Sequence, residues 1–533
     1  MVFVPVLLIF VPIICGVFIY LIKHPWIYYL SLLGQLVITV FAILYYYEFS
    51  GQYANTFIVF GLWDERIGIS LRNDALSMSF VFLSIFMWWM VLLYTMYAKE
   101  REYNFLFFLL FLEGVFLGLL QSNDLFNMFV FLELITLLVT ILIAFIKTGE
   151  SFRAALYYLL LNTSGVLAFL LGIILLYNTF GSINLEVIKS QMHLVYDGQV
   201  LIKFAFVLML GGISVKTALF PVFTWLPRAH GVAHSGISAL LSGLIVKGGL
   251  YMFLRITSIF EGADFAYHNF FFLIGFLTAF TGVIFAVSQK DIKQILAYHT
   301  VSQVGIMMMG LSHVDEKVAF GGLLHIFHHA FFKSLLFLAA GIIVAQYGTK
   351  KVAKLRGVFK TMPILSVFMI VGMLSITGAP FFNGFISKSV IKYGIEGDFR
   401  YWLLYLVNIG TATSFLKMSQ IFFGDRQLDI AKQHLIHYVP LLVLSFVCIM
   451  FGLFYIPISD GFFGIDLSYV SLFKLSGFVN YGITLGTGFL LYFLIVKKDP
   501  IFIKKMRAFN LSFDKANYLF VVFLVLMTMY FVI

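Results

Sequence analysis

The stretch HIFHHAFFKSLLFLAAG, residues 325–341, sets His325, His329 and Lys333 four residues apart in an otherwise apolar run. Positions i, i+4 and i+8 stack on one face of a helix with a slow drift. At 1.5 Å rise per residue they make a column of exchangeable protons about 12 Å long. Proton transfer is the chemistry such a column can do. Metal binding competes, because i,i+4 histidines suit zinc, but no glutamate intervenes as in HExxH and no cysteine or nearby carboxylate completes a ligand set. His328 points away from the column and reads as a packing residue. Other ionisable residues stand near the middle of apolar runs: Glu133, Lys216, Lys247, His299, Lys388 and Lys417, with Glu113 a further candidate and His230 an auxiliary one. A charge at mid-bilayer costs at least about 2.5–3.5 kcal/mol on insertion scales, so each is a functional candidate by default. Snorkelling or structural pairing explains one such residue well, but not a set with lysines on successive helices.

The elements that must position these groups are apolar. Of 533 residues, 62% are hydrophobic and 11% charged, against about 25% charged in soluble domains. Runs long enough to span a bilayer follow one another from 2–22 to 516–533. Sixteen are candidates, among them 201–226, 293–311, 363–394 and 401–423, so the fold class is an all-α polytopic membrane protein of about 14–16 transmembrane helices. Segment 48–73 alternates polar and apolar residues around Gly51 and Gly61 and reads as an external hairpin. The N-terminal run is too long for a signal-peptide core and lacks a small-residue cleavage site, so it is the first span.

The net charge of +10 raises nucleic acid as a partner, but the basic residues lie in short loops, which a membrane protein explains better. Loops after odd-numbered spans carry Lys23, Arg228, Lys290, Lys350, Lys351 and Lys497. Loops after even-numbered spans carry Asp64, Asp124, Glu186, Glu261, Asp315 and Glu396. Cytoplasmic loops are enriched in Lys and Arg, which places both termini outside an inner (plasma) membrane. Cys15 and Cys448 fall in apolar runs, so neither a disulfide framework nor an iron–sulfur cluster is expected. No cofactor is expected either, and redox chemistry belongs to a partner.

Two spans are interrupted beside their lysines. In GGISVKTALFPVFTWLPRAH, Pro221 follows Lys216; in SITGAPFFNGFISKSV, Gly378, Pro380 and Gly384 precede Lys388. Breakers are tolerated where freed backbone groups line a wet cavity or the protein interior. The broken seventh and twelfth spans are five apart, as are the eighth and thirteenth with Lys247 and Lys417, and the fifth and tenth with Glu133 and His299. An odd offset inverts topology, pointing to two inverted five-helix repeats. The division is 1–103 (three helices and the hairpin), 104–257 and 258–423 (the repeats), and 424–533 (C-terminal helices).

Six motifs in order resemble the antiporter-like subunits of respiratory complex I, membrane-bound hydrogenases and Mrp cation/proton antiporters: SNDLFNMFVFLEL, VKTALFPVFTWLPRAH, SGISALLSGLIVKGGLY, QKDIKQILAYHTVSQVG, HIFHHAFFKSLLFLAAG and GAPFFNGFISK. The resemblance implies that Glu133 is the essential acid, Lys216 its paired lysine, Lys247 the central lysine and Lys388 the terminal proton carrier. It implies a proton-translocating subunit with other membrane subunits and lipid as partners, and no nucleic acid. The short loop between the last two spans leaves no room for a long lateral helix, so the chain looks closest to Mrp D-type or complex I M/N-like subunits. No catalytic chemistry is visible in the chain itself, and membership of an NADH-quinone oxidoreductase or hydrogenase-type translocase stays open. Two other classes compete: a Na+-translocating antiporter subunit and a structural membrane scaffold.

Overall fold

The computed structural model describes residues 3–49, 56–60, 63–64, 66–96, 102–195, 200–262, 265–425, 435–468, 470 and 473–533. Gly51 and Gly61 of the expected hairpin lie outside them. Among its described residues the segment forms a two-stranded antiparallel ribbon, β1 (Thr56–Val59) with β2 (Ser70–Asn73), in the register Thr56 to Asn73.

Among the described residues, all other regular structure is helical. The N-terminal part runs through α1 (Val4–Ile22), α2 (Tyr28–Phe49), α3 (Ala75–Thr95), α4 (Tyr103–Gln121), α5 (Leu125–Ala144), α6 (Gly149–Phe180), α7 (Leu185–Val195) and α8 (Val200–Lys216). Then come α9 (Trp225–Val232), α10 (Ser235–Leu240), α11 (Val246–Ile259), α12 (Tyr267–Ser288), α13 (Ile292–Leu311), α14 (Glu316–Tyr347) and α15 (Val358–Thr361). The chain closes with α16 (Pro363–Thr377), α17 (Asn383–Gly394), α18 (Phe399–Met418), α19 (Tyr438–Leu453), α20 (Tyr455–Phe463), α21 (Leu475–Leu494), α22 (Ile501–Ala508) and α23 (Phe513–Phe531).

Polar residues at the ends of apolar runs start six of these helices. Asp74 and Thr148 close capping boxes with Ser77 and Ser151, and Asp124, Asp291, Asp315 and Asp398 cap α5, α13, α14 and α18. Each such cap is worth about 1 kcal/mol. Gly181, Gly348 and Gly378 end α6, α14 and α16 in the left-handed region.

Among the described residues, 12 helices are long and apolar enough to cross a membrane. The four further spans expected from sequence are helical too, yet fall short of that description for physical reasons. Span 201–226 is broken between α8 and α9, and span 363–394 between α16 and α17. The helices α13 and α18 carry Lys293, His299 and Gln303, and Arg400 and Lys417. These four segments bear ionisable groups, as α4, α5, α11 and α14 also do, and protein rather than lipid must surround such groups.

The chain divides into two compact units. The first comprises residues 1–217, 244–266 and 512–533, and holds α1–α8, α11 and α23. In it α6 crosses α8 where Gly165 faces Gly212, and α23 packs on α8 through Phe531 against Phe206, ring centroids 5.1 Å apart. The outer face of α6, with Leu156, Leu160, Leu167, Leu171 and Ile174, is exposed and apolar, as a lipid-facing surface must be. The second unit comprises 218–243 and 267–511. Its centre is α13 and α14, where every residue from His299 to Gly310 and from Leu324 to Ile343 is buried.

Candidate functional site

In the first unit, α5 carries Glu133 and α8 ends on Lys216. Glu133 Oε1 accepts a hydrogen bond from the Thr163 hydroxyl of α6 at 2.9 Å, and its Oε2 is buried with no hydrogen-bond partner among the described residues. The Lys216 ammonium donates to the Leu132 carbonyl at 3.2 Å and to the Thr136 hydroxyl, one residue before the acid and three after it. Acid and base thus share one turn of α5 without forming an ion pair within 4.0 Å. As the last residue of its helix, Lys216 also sits at the negative end of the α8 dipole. The next turn is broken: Ala218 has φ of +56°, a left-handed conformation costly for a residue with a Cβ.

Lys247 lies in α11, 0% exposed, and just beyond a π turn at Leu241–Ile245. A Cβ on Gly249, two residues on, would lie 2.9 Å from the Thr217 backbone nitrogen and 3.1 Å from the Lys216 carbonyl carbon. Only glycine permits that approach, which brings α11 against the end of α8. Lys247, Tyr251 and Arg255 repeat the four-residue spacing of the histidine column. Arg255 grips Asp74 through two bonds of 2.6 Å and donates to the Tyr251 hydroxyl at 2.9 Å, while Tyr251 donates to the Leu120 carbonyl. Burial works against charge on the Asp74 carboxyl, but Arg255 and Arg72 overcome it and hold the group well below the usual carboxylate range. The network anchors α11, and with it Lys247, to α3 and α4. Glu113, fully buried in α4, belongs to this unit as well.

The second unit holds His230, His299, His325, His329, Lys333, Lys388 and Lys417. The His325 and His329 rings are 6.4 Å apart on α14, as the spacing expects. His325 Nδ1 pairs with the Ser387 hydroxyl at 2.8 Å and Nε2 with Gln303 Oε1 at 3.1 Å, so the column meets α17 one residue before Lys388. Lys333 donates to the Leu296 carbonyl and stands 5.0 Å from the Phe337 ring centroid. His230 stacks on that same ring at 4.5 Å, so Phe337, the next position in the four-residue series, joins α9 to the column. His299 pairs with Ser414. His328 faces the other way, edge-on to Phe451 of α19 at 5.8 Å.

Lys388, 3% exposed, reaches back to the Ile376 carbonyl at 2.7 Å, so it caps the C-terminal end of the preceding half-helix. Gly384 allows this, since a Cβ there would lie 1.9 Å from the Ser375 carbonyl oxygen. Phe381, with φ of +73°, marks this break as Ala218 marks the other. Lys417 donates to three carbonyls at the end of α12, those of Ala286 (3.3 Å), Val287 (2.6 Å) and Gln289 (2.5 Å), which makes it a cap on that helix.

Sequence reasoning had not singled out the partners: Thr136, Thr163, Ser387, Gln303, Ser414 and Phe337. Only Phe337 left a signal, its place in the series 325, 329, 333, 337. The π turn left one too, the Ser242–Gly243 pair, since such pairs commonly mark helix irregularities.

Comparison with known proteins agrees with this architecture. The family model described as NADH:quinone oxidoreductase/Mrp antiporter, TM, matches residues 122–417, more than half of the chain. The D-type subunit of the Na(+)/H(+) antiporter of Alkalihalophilus pseudofirmus is 32% identical over 362 residues, 67% of this chain and 72% of that protein. The putative antiporter subunit mnhD2 of Staphylococcus aureus is 29% identical over 402 residues, 74% of this chain and 80% of that one. Two solved structures share the fold. A chain of the membrane-bound sulfane sulfur reductase, an archaeal respiratory membrane complex, superposes with a TM-score of 0.81 at 24% identity, covering 91% of this chain and 99% of that one. A chain of the Mrp complex from Dietzia sp. DQ12-45-1b gives 0.77 at 21% identity, covering 95% and 99%. On the match across α5 to α18 and the relationship to the Alkalihalophilus antiporter protein, this chain belongs to the NADH:quinone oxidoreductase/Mrp antiporter transmembrane family.

Proposed function

We propose that this protein is a proton-translocating membrane subunit of a multisubunit ion-pumping complex, of the Mrp antiporter type or a related respiratory or hydrogenase type. It sits in the plasma membrane as a multi-pass chain with both termini outside, and two inverted repeats, 104–257 and 258–423, frame its path. One observation carries the reading: each unit holds a buried lysine at a helix break, its ammonium bonded to a main-chain carbonyl, Leu132 for Lys216 and Ile376 for Lys388. The carbonyl satisfies the buried ammonium while it keeps its proton, and release waits for a better acceptor, water or a neighbouring basic side chain.

The first unit is the switch. With Lys216 on Leu132 and Thr136, and Glu133 on Thr163, the pair stands apart. If the two close to about 5 Å at an effective dielectric of about 20, their attraction is about 3.3 kcal/mol. Moving one charge through 100 mV takes about 2.3 kcal/mol, so opening and closing the pair is of the right size to drive a proton against a membrane potential. Lys216 and Lys247 load the proton; the His325, His329 and Lys333 column delivers it to Lys388. His230 and His299 support the column, and neighbouring subunits supply the energy.

Glu133→Ala and Lys216→Ala are each expected to abolish coupled transport in vesicles while the complex still assembles. Normal pumping by both variants overturns the mechanism. A scaffold role predicts instead that Met replaces the buried lysines without loss. A second reading, with Na+ as the exchanged ion, is supported by the name of the relative in Alkalihalophilus pseudofirmus. It predicts vesicle pH changes that require Na+.

A further inference from the structure

A polar cavity of about 380 Å³ lies against Lys388 in the second unit. Its walls come from α16, α17, α18 and α21, and include Thr377, Lys388, Ser389, Lys392, Glu396 and Tyr481. At about 30 Å³ per water molecule it has room for on the order of ten waters. The walls grade from buried to open: Lys388 is 3% exposed, Ser389 and Lys392 are half-buried, and Glu396 is exposed. Lys388, Lys392 and Glu396 are spaced i, i+4, i+8, so the ionisable groups follow one face of α17 and continue past its end. Lys392 lies 5.9 Å from the Tyr405 ring centroid, a contact that favours its ammonium form once it has taken a proton. The Thr377 hydroxyl meets the Tyr481 hydroxyl at 3.1 Å, adding exchangeable protons to the lining.

We propose that this cavity is a hydrated exit vestibule and that Lys392 is the proton acceptor that follows Lys388. The Lys388 ammonium gives its proton, through vestibule water, to the neutral Lys392 amine; Lys388 becomes neutral and Lys392 becomes the ammonium. Lys392 then passes the proton to the Glu396 carboxylate or to bulk water and returns to the amine. This rests on the reading of Lys388 as the terminal carrier and names the groups beyond it. The alternation of loop charges puts the Glu396 loop outside, so the vestibule opens to the external face.

The test uses cysteine accessibility and transport in vesicles bearing the assembled complex. The two native cysteines of this chain are buried, Cys15 at 7% and Cys448 at 0% exposure, so its own background labelling is low. Ser389→Cys is expected to react with a charged, membrane-impermeant thiosulfonate added on the external side, and modification is expected to block transport. Ser476→Cys, at an exposed position of the same lining, controls for reagent access. Reaction of Ser389→Cys only with a lipid-soluble maleimide, while Ser476→Cys takes the charged reagent, overturns the vestibule. Lys392→Met is expected to slow transport about tenfold or more, with partial recovery in Lys392→His and an unchanged unfolding temperature. Wild-type transport by Lys392→Met overturns the carrier role. Failure of the underlying relay reads out separately, as intact transport in Glu133→Ala, and leaves the labelling result standing.

Discussion

The two helix breaks look alike in sequence, and the structure gives them different surroundings. At the first, the lysine is the last residue of its own half-helix and bonds to another helix, α5, beside the acid Glu133. At the second, the lysine belongs to the later half-helix, bonds back to the end of the earlier one, and faces a polar cavity. An acid at hand makes Lys216 suited to switching; a carbonyl and a cavity make Lys388 suited to release. The surroundings differ to match. An ion-pair network around Asp74 and Arg255 anchors the first region, whereas lysine-to-carbonyl bonds, those of Lys388, Lys333 and Lys417, tie the second.

The strongest way to break this contrast is to remove each lysine. Lys216→Met and Lys388→Met are both expected to lower steady transport by about a hundredfold or more. A single-turnover measurement of proton uptake separates them: uptake persists in Lys388→Met and vanishes in Lys216→Met. Equal loss in both erases the distinction between switch and exit.

Asp74→Asn tests the anchoring of the first region. It leaves the Arg255 charge buried without its partner, a loss of about 3–5 kcal/mol, visible as a lower unfolding temperature in detergent. No comparable single change is expected around Lys388.

Asp124, the cap of the helix that carries Glu133, gives this region a pH signature. Burial pushes its carboxyl from the ordinary 3.8 up to about 6, against the backbone N–H groups of Asn127 and Ser70. The folded chain therefore holds more protons than the unfolded one between those values. Stability from this group is full below pH 3.8 and falls as pH rises through about 6. Unfolding temperature measured across that range is expected to decline with pH in the wild type and to lose that slope in Asp124→Asn.

Thr136→Val removes one acceptor from Lys216 while leaving Glu133 and the cavity untouched. A hydrogen bond to a charged group contributes about 1.5–3 kcal/mol, so transport is expected to change about tenfold or more with proton exit unaffected. Gly384→Ala is the counterpart at the second break. Its Cβ would collide with the Ser375 carbonyl, costing about 1–3 kcal/mol by overpacking. The same loss of exit is expected as in Lys388→Met, but incomplete.

Much of the site is legible in the chain alone. Glu133, Lys216, Lys247, Lys388 and the His325–His329–Lys333 column stand out because charge in an apolar run is costly wherever it occurs. Pro221, Gly378 and Pro380 announce both breaks, and period-two alternation announces the β1–β2 ribbon. The partners are not legible. Thr136, Thr163, Ser387 and the carbonyls of Leu132 and Ile376 are groups found all along the chain, and nothing local marks the ones that meet a lysine. Lys417 is an example: its place in an apolar run marks it as an auxiliary candidate, and only the fold shows that it meets three carbonyls at the end of α12. Nor does any local pattern assign residues 512–533 to the same compact unit as 1–217.

By itself the sequence determined that this is a membrane chain with ionisable groups inside, because the cost of moving a residue from water to lipid belongs to that residue alone. Which lysine stands beside an acid, which caps a helix and which borders a cavity was decided only by tertiary structure. Those roles depend on how closely particular helices cross, at Gly249 and Gly384 above all, and a distance between segments far apart in the chain is a property of neither segment.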